Sequence, residues 1–336
     1  MAFATVAAPA NAAGPLHLKK LSTSELLRPI AAFRDATITS RRRLAAVRTD
    51  ADHGLYRTAD GYSVHLLVSD VYATDRAADQ TFVDFLDGLL HKSELGTLTV
   101  DIEPAEELQQ TCGIDALACY FPQQSTLYVP GEDPDPAHPL EQIIAHEYGH
   151  HVARSRNNYP WPAAIWGPKR WASYMNVCAN IRDGHMFPGA ETPDQYAANP
   201  GEGWAEAYRA VNAARIGTWG SIGWDIVDPF FMPDGGATNA VVADVLSPWS
   251  APRIRTIRGQ LYGPGARTWS IPTADDGVIT ASVRAANGTR LGFFSGGKLV
   301  SQPGARTSAT VCGQTSLALV AAARRKGAFT ITLATP

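Results

Sequence analysis

The stretch His146-Glu147-Tyr148-Gly149-His150 has the pattern H-E-x-x-H. Two imidazoles at i and i+4 lie one turn apart on the same face of an α-helix, so both can reach a single ion. Neutral imidazole suits Zn²⁺, which takes nitrogen ligands at about 2.0–2.1 Å. Glu147, beside the first histidine, can face a water at the open position of such a metal and take its proton as general base. The flanks read as helix. Leu140, Ile143, Ile144 and Val152 fit one apolar face, and Pro139 fits an N-terminal turn. His151 is rotated by about 100° from His150. It therefore reads as a packing residue or a support for a ligand rather than as a ligand.

A catalytic zinc usually has three protein ligands and a water, so one ligand is missing. The longer pattern, with a Gly and a third His downstream, is absent: Ala153 and Arg156 stand there. The candidate lies about fifty residues on, in Asn199-Pro200-Gly201-Glu202-Gly203-Trp204-Ala205-Glu206-Ala207-Tyr208. Here the chain resembles the gluzincin metallopeptidases, whose second helix carries a Glu ligand. The resemblance implies Glu202 as the third zinc ligand. It implies Glu206, one turn later, as the carboxylate that orients a zinc-bound histidine. Glu202 has a competing role, because Asn199, Pro200 and Glu202 fit N-cap, N1 and N3 of a capping box. Asp183, His185 and Glu206 stand as substitute ligands.

The 336 residues are 45% hydrophobic and 18% charged, an ordinary globular balance and enough for two domains. The net charge of −3 implies no nucleic-acid or anionic-membrane partner. No apolar run approaches the ~20 residues of a membrane span. Residues 1–15 are Ala-rich, lack Lys and Arg, and contain the small-x-small triplet Ala10-Asn11-Ala12, so they read as the remnant of a secretory signal. Four cysteines, none in C-x-x-C spacing, suit an oxidising compartment. Cys112 and Cys119 could close a short loop, and Cys178 and Cys312 would then pair by elimination. The alternative is four free thiols.

Along the chain, residues 24–48 read as a helix, 62–71 as a strand, 75–91 as an amphipathic helix and 98–102 as a strand. Two short strands follow, 116–121 and 125–129, and an acidic, Pro-rich link leads to the H-E-x-x-H helix. This order resembles the N-terminal lobe of zincins. The resemblance implies that 116–121 is the sheet edge on which a peptide substrate adds as an extra strand. Glu132, Asp133 and Asp135 could bind calcium, but a solvated approach to the helix is the favoured reading. The aromatic stretch holding Trp161, Trp166 and Trp171 could line a pocket or pack a core. His185 or Tyr196 could donate a hydrogen bond to the oxyanion formed on carbonyl attack.

Residues 247–265, rich in Pro, Gly and Arg, read as a linker. Beyond them short strands at 277–283, 290–294, 308–311, 316–321 and 329–333 predict a small all-β sandwich. It resembles, faintly, the pre-peptidase C-terminal β-domains of secreted bacterial proteases. The expected fold class is therefore α+β: a zincin-like catalytic domain over 16–250, then a β-sandwich over 262–336. The expected function is a secreted, monomeric zinc peptidase acting on peptide or protein substrates. Rival readings are a zinc amidase acting on cell-wall peptides and a non-catalytic extracellular binding protein on the same scaffold. Glu147 argues against the last, because a pure binder needs no base there.

Overall fold

The structure is a computed structural model that describes Leu16, Leu18 and residues 50–113, 116–134, 139–217 and 227–336. The helix read over 24–48 and the Ala-rich first residues lie outside the described residues. By its contacts the chain divides into two compact units, Met1–Val152 with Tyr208–Asp225, and Ala153–Ala207 with Ile226–Pro336.

The first unit is built on a five-stranded sheet of β1 (Asp50–Arg57), β2 (Ser63–Ser69), β3 (Thr99–Glu103), β4 (Cys119–Phe121) and β5 (Thr126–Pro130). The spatial order is β1-β2-β3-β5-β4. β2, β3 and β5 run parallel, while β1 and β4 are antiparallel edges. Val64, Leu66, Val68, Val100 and Ile102 are fully buried, as alternating apolar residues on a covered sheet should be. Helix α1 (Arg76–Gly88) buries Phe82, Val83 and Leu86. Its start is set by Asp75, whose carboxylate accepts from the N–H groups of Ala77 and Ala78. Helix α2 (Ala105–Cys112) ends at the Cys112–Cys119 disulfide, which ties it to the edge strand β4. That edge is shorter than the sequence suggests, three residues rather than six.

Helix α3 (Leu140–Arg154) carries H-E-x-x-H and buries Leu140, Ile144 and Val152. Asp133 accepts from the Leu140 N–H at 2.8 Å, satisfying one of the helix's unpaired N-terminal donors. Glu132 accepts from the Tyr72 hydroxyl at 2.6 Å. Asp133 thus has structural work at the helix start and Glu132 beside Tyr72, and among the described residues neither joins a metal-holding group; Asp135 lies outside the described residues.

The second unit contains short helices α4 (Ala163–Trp166), α5 (Lys169–Tyr174), α6 (Val177–Arg182) and α7 (Pro193–Tyr196). Helix α8 (Pro200–Ile216) runs through both units, and α9 (Gly235–Leu246) belongs to the second. Asp244 on α9, nine-tenths buried, accepts from the Arg170 and Trp171 N–H groups and so caps α5 from a neighbouring helix. Burial pushes its carboxyl up to about 6. Trp171 is fully buried, edge-on to Trp204 and stacked on Phe231, and is core rather than pocket lining. Trp161 and Trp166 stack at 4.7 Å and remain half-exposed.

The C-terminal strands form two antiparallel four-stranded sheets. One has the order β10-β9-β12-β7 and the other β11-β8-β13-β6. The strands are β6 (Arg253–Leu261), β7 (Gly265–Pro272), β8 (Gly277–Ala285), β9 (Arg290–Ser295), β10 (Lys298–Leu299), β11 (Arg306–Val311), β12 (Ser316–Ala323) and β13 (Gly327–Thr335). Ile271, Phe293 and Leu319 of one sheet meet Ile279, Ile331 and Leu333 of the other in a single apolar core, which makes this a β-sandwich. The stretch 247–265 is therefore not a plain linker. It holds β6, whose apolar alternation is hidden because Arg253, Arg255 and Arg258 are exposed on an edge strand. The Cys178–Cys312 disulfide ties α6 to the end of β11, so both expected pairs are present.

Candidate metal centre

His146 and His150 stand one turn apart on α3, with ring centroids 5.0 Å apart and planes at 79°. His146 is buried and His150 half-buried, so the pair faces inward at its first member and opens at its second. Glu147, between them, is also half-buried. Ligand atoms of His146, His150 and Glu202 all lie within 4.8 Å of one another. Three donors on one tetrahedral zinc would be about 3.4 Å apart, given bonds of about 2.0–2.1 Å. The 4.8 Å bound leaves room for that spacing. Two imidazoles and a carboxylate are also a donor set that zinc takes.

Glu202 is placed by its helix. Asn199 accepts the Gly201 N–H on its side-chain oxygen at 2.9 Å, which caps the start of α8. The Asn199 backbone N–H donates to the Tyr196 carbonyl at 2.9 Å. That is the N–H a capping box would have paired with Glu202, so the competing role for Glu202 loses its partner group. The Tyr196 hydroxyl donates to Glu202 Oε2 at 2.8 Å. Tyr196 is thus beside a candidate ligand, as an oxyanion donor would need to be. At Gly203 an added Cβ would lie 2.4 Å from the Phe231 ring, so only glycine lets α8 approach so closely there. Further along α8, the Arg209 guanidinium donates to Gln142 Oε1 of α3 at 2.7 Å, and Tyr208 donates to the Leu90 carbonyl at 2.5 Å. Glu206 is almost completely buried, one turn beyond Glu202.

His151 does not join that grouping. Its Nε2 lies 2.9 Å from the Glu94 carbonyl and its Nδ1 lies 3.0 Å from the Tyr120 hydroxyl. With Nε2 protonated and donating, Nδ1 accepts from Tyr120, and α3 is bound to the sheet edge β4. These partners are unreadable from sequence because they lie 57 and 31 residues away. His185 is exposed and lines a cavity with Asn180, Met186, Phe230 and Phe231. Neither His185 nor Asp183, which pairs with Arg182 at 2.9 Å, joins a metal-holding group among the described residues.

A second group, Asp60, Asp87 and His91, was not anticipated, although Asp87 and His91 have i, i+4 spacing. Its carboxylates lie 3.4 and 3.8 Å from His91 Nε2. Both imidazole nitrogens also lie 3.1 Å from backbone carbonyls, of Lys92 and Asp87. A neutral imidazole can donate to one of those carbonyls, and that bond helps fix the ring.

Neither a protein-family profile nor a curated protein matches this sequence. Among solved structures, one likeness is to the periplasmic lysozyme inhibitor PliG of Aeromonas hydrophila, an inhibitor of g-type lysozyme. It covers 25% of this chain and 86% of that one at 7% identity, with a TM-score of 0.22, too loose to say anything about this chain's fold or activity.

Proposed function

We propose that the protein is a zinc-dependent hydrolase of peptide bonds, a metallopeptidase of gluzincin type. The observation that carries the reading is the convergence of His146, His150 and Glu202, with Glu147 set between the two histidines. When bound, zinc supplies Lewis acidity that polarises the scissile carbonyl and acidifies a water. Glu147 takes the proton of the attacking water and passes it to the leaving amine. Tyr196, whose hydroxyl donates to Glu202 Oε2, would share charge on the carbonyl oxygen by turning that proton toward it. Glu206 orients a ligand from within the core. A peptide would lie extended along β4, the edge strand of the five-stranded sheet. Tyr120 of β4 is bonded to His151, the residue after ligand His150, so the docking edge and the imidazoles share one helix as their reference. Two disulfides fit an extracellular or periplasmic setting, and no helix among the described residues is long and apolar enough to span a membrane.

The test is Glu147→Gln. The variant should keep about one zinc per chain and lose roughly 10²–10⁴-fold of its chelator-sensitive activity on casein or a peptide library. Metal analysis beside the cleavage assay reads both. Full activity in the Gln variant rejects the mechanism. Cleavage restricted to cell-wall peptides would move the substrate class to the amidase reading.

A further inference from the structure

The charge of this chain is unevenly distributed. Residues 251–336 hold eleven Lys and Arg against two Asp and no Glu, a net charge of +9, although the whole chain carries −3. The β-sandwich is therefore strongly basic, and residues 1–250 strongly acidic. An asymmetry of this size points to an anionic partner for the basic part.

Strand register shows where the cations gather. On the sheet β11-β8-β13-β6, buried residues such as Ile279, Ile331 and Val311 face the core, and their neighbours in sequence face out. Thr330 stands opposite Arg258 on one side and Arg284 on the other. These two arginines are therefore about 10 Å apart, two strand spacings, on the outer face. Arg306 pairs with Ser282, beside them on the same face. The turn between β12 and β13 adds Arg324, Arg325 and Lys326 at the same end, since Gly327 pairs with Leu261 and Phe329 with Ala285. All six are exposed, and none is paired with a carboxylate among the described residues. The outer face also carries the hydroxyls of Thr256, Thr280, Ser282, Ser308, Thr330 and Thr332, with Val278, Ala328, Ala334 and the exposed Ile254 as apolar members.

The two acids lie at the other end. Asp275 and Asp276 precede the first residue of β8, about 27–30 Å along the chain from Arg284. That end is fastened to the short helices of its own unit. Asp276 accepts Lys169 Nζ on its carbonyl at 2.8 Å, its N–H donates to Ser173 Oγ, and Cys312 is bonded to Cys178. The basic cluster is thus at the opposite end from the fastening.

We infer that the outer face of this sheet, with the six cations at its free end, binds an acidic polysaccharide. Guanidinium groups pair with carboxylates in two-point hydrogen bonds, and Ser and Thr hydroxyls both donate to and accept from sugar hydroxyls. A nucleic acid fits less well. The face has no row of aromatics on which bases could stack, and no helix or projecting ribbon to enter a duplex groove. A lipid surface fits less well because the residues around the arginines, Thr256, Ser282, Thr330 and Thr332, carry hydroxyls, and the exposed apolar Ile254 stands four residues from Arg258 along β6.

The full-length protein is tested against immobilised polygalacturonate, with its methyl-esterified neutral form, a 20-base-pair duplex DNA and phosphatidylglycerol vesicles as parallel arms. The expected result is binding to polygalacturonate that weakens with salt, no binding to the neutral form, and at least ~10-fold weaker binding by Arg258→Ser/Arg284→Ser/Arg325→Ser at unchanged melting temperature. If that triple variant does not fold, Arg324→Ser/Arg325→Ser/Lys326→Ser, confined to an exposed turn, replaces it. The inference is overturned if polygalacturonate is not bound, if the folded variant binds like the parent, or if DNA or vesicles bind more tightly than the glycan. None of these readouts depends on hydrolysis.

Discussion

The helices that carry the candidate metal ligands and the C-terminal sandwich are held together by different physics. The sandwich core is apolar: Leu261, Ile271, Ile279, Phe293, Leu319, Phe329 and Ile331 fill it without a buried charge among them. The helical part buries polar and charged groups and satisfies them one at a time. Arg209 and Asn212 are fully buried and bonded to Gln142 and to Leu90; Lys169 is fully buried and bonded to two carbonyls. A core of the first kind is indifferent to which apolar residue fills it, provided the volume is kept. A core of the second kind fixes direction as well as distance, which is what metal ligands need. The cost is sensitivity: removing one partner strands another buried group.

The largest stability effect should therefore come from a hole in the sandwich. Phe293 is fully buried, and Phe293→Ala should destabilise by about 3–5 kcal/mol while leaving zinc binding unchanged in the folded fraction. Chemical unfolding beside zinc titration measures both. Loss of zinc binding in folded Phe293→Ala would show that the two regions are not energetically separate.

A smaller effect concerns Lys169, which bonds the carbonyls of Tyr159 and Asp276 and lies over the Trp249 ring at 4.8 Å. Burial is the main cause that lowers its ammonium to about 8 from 10.5. Between those values the unfolded chain holds a proton that the folded protein has released, so stability should rise as pH increases through this window. The rise is at most about 3 kcal/mol, reduced by the carbonyls and indole faces that favour the charged form. Between pH 7.5 and 10 the unfolding midpoint of the parent should rise relative to that of Lys169→Met. Parallel shifts in the two proteins would remove Lys169 as the titrating group.

The same contrast explains what was legible beforehand. Periodicity finds elements whose residues answer to one buried face, so α1, β2, β3 and most sandwich strands were placed within a few residues. It misses β1 and β7, and it fails at β6, where exposed Arg253, Arg255 and Arg258 on an edge strand conceal Ile257 and Leu261. It also shortened nothing at β4, whose three residues are framed by a disulfide rather than by a pattern. His146 and His150 were legible because helical spacing alone brings them to one face, and Glu147 because it adjoins the first of them. Glu202 needed a resemblance, since it lies on another helix. The partners of His151, the cap supplied by Asp133 and the grouping of Asp60 with Asp87 and His91 arise from tertiary contact, and no local pattern encodes them.

The central claim is that Glu202 completes a three-ligand site with His146 and His150. Its most direct test is zinc titration of folded Glu202→Ala and Glu206→Ala against the parent, with circular dichroism to confirm folding. Glu202→Ala should abolish or greatly weaken zinc binding, whereas Glu206→Ala should keep the metal with affinity reduced ~10–100-fold. Zinc binding like the parent in Glu202→Ala would contradict the account.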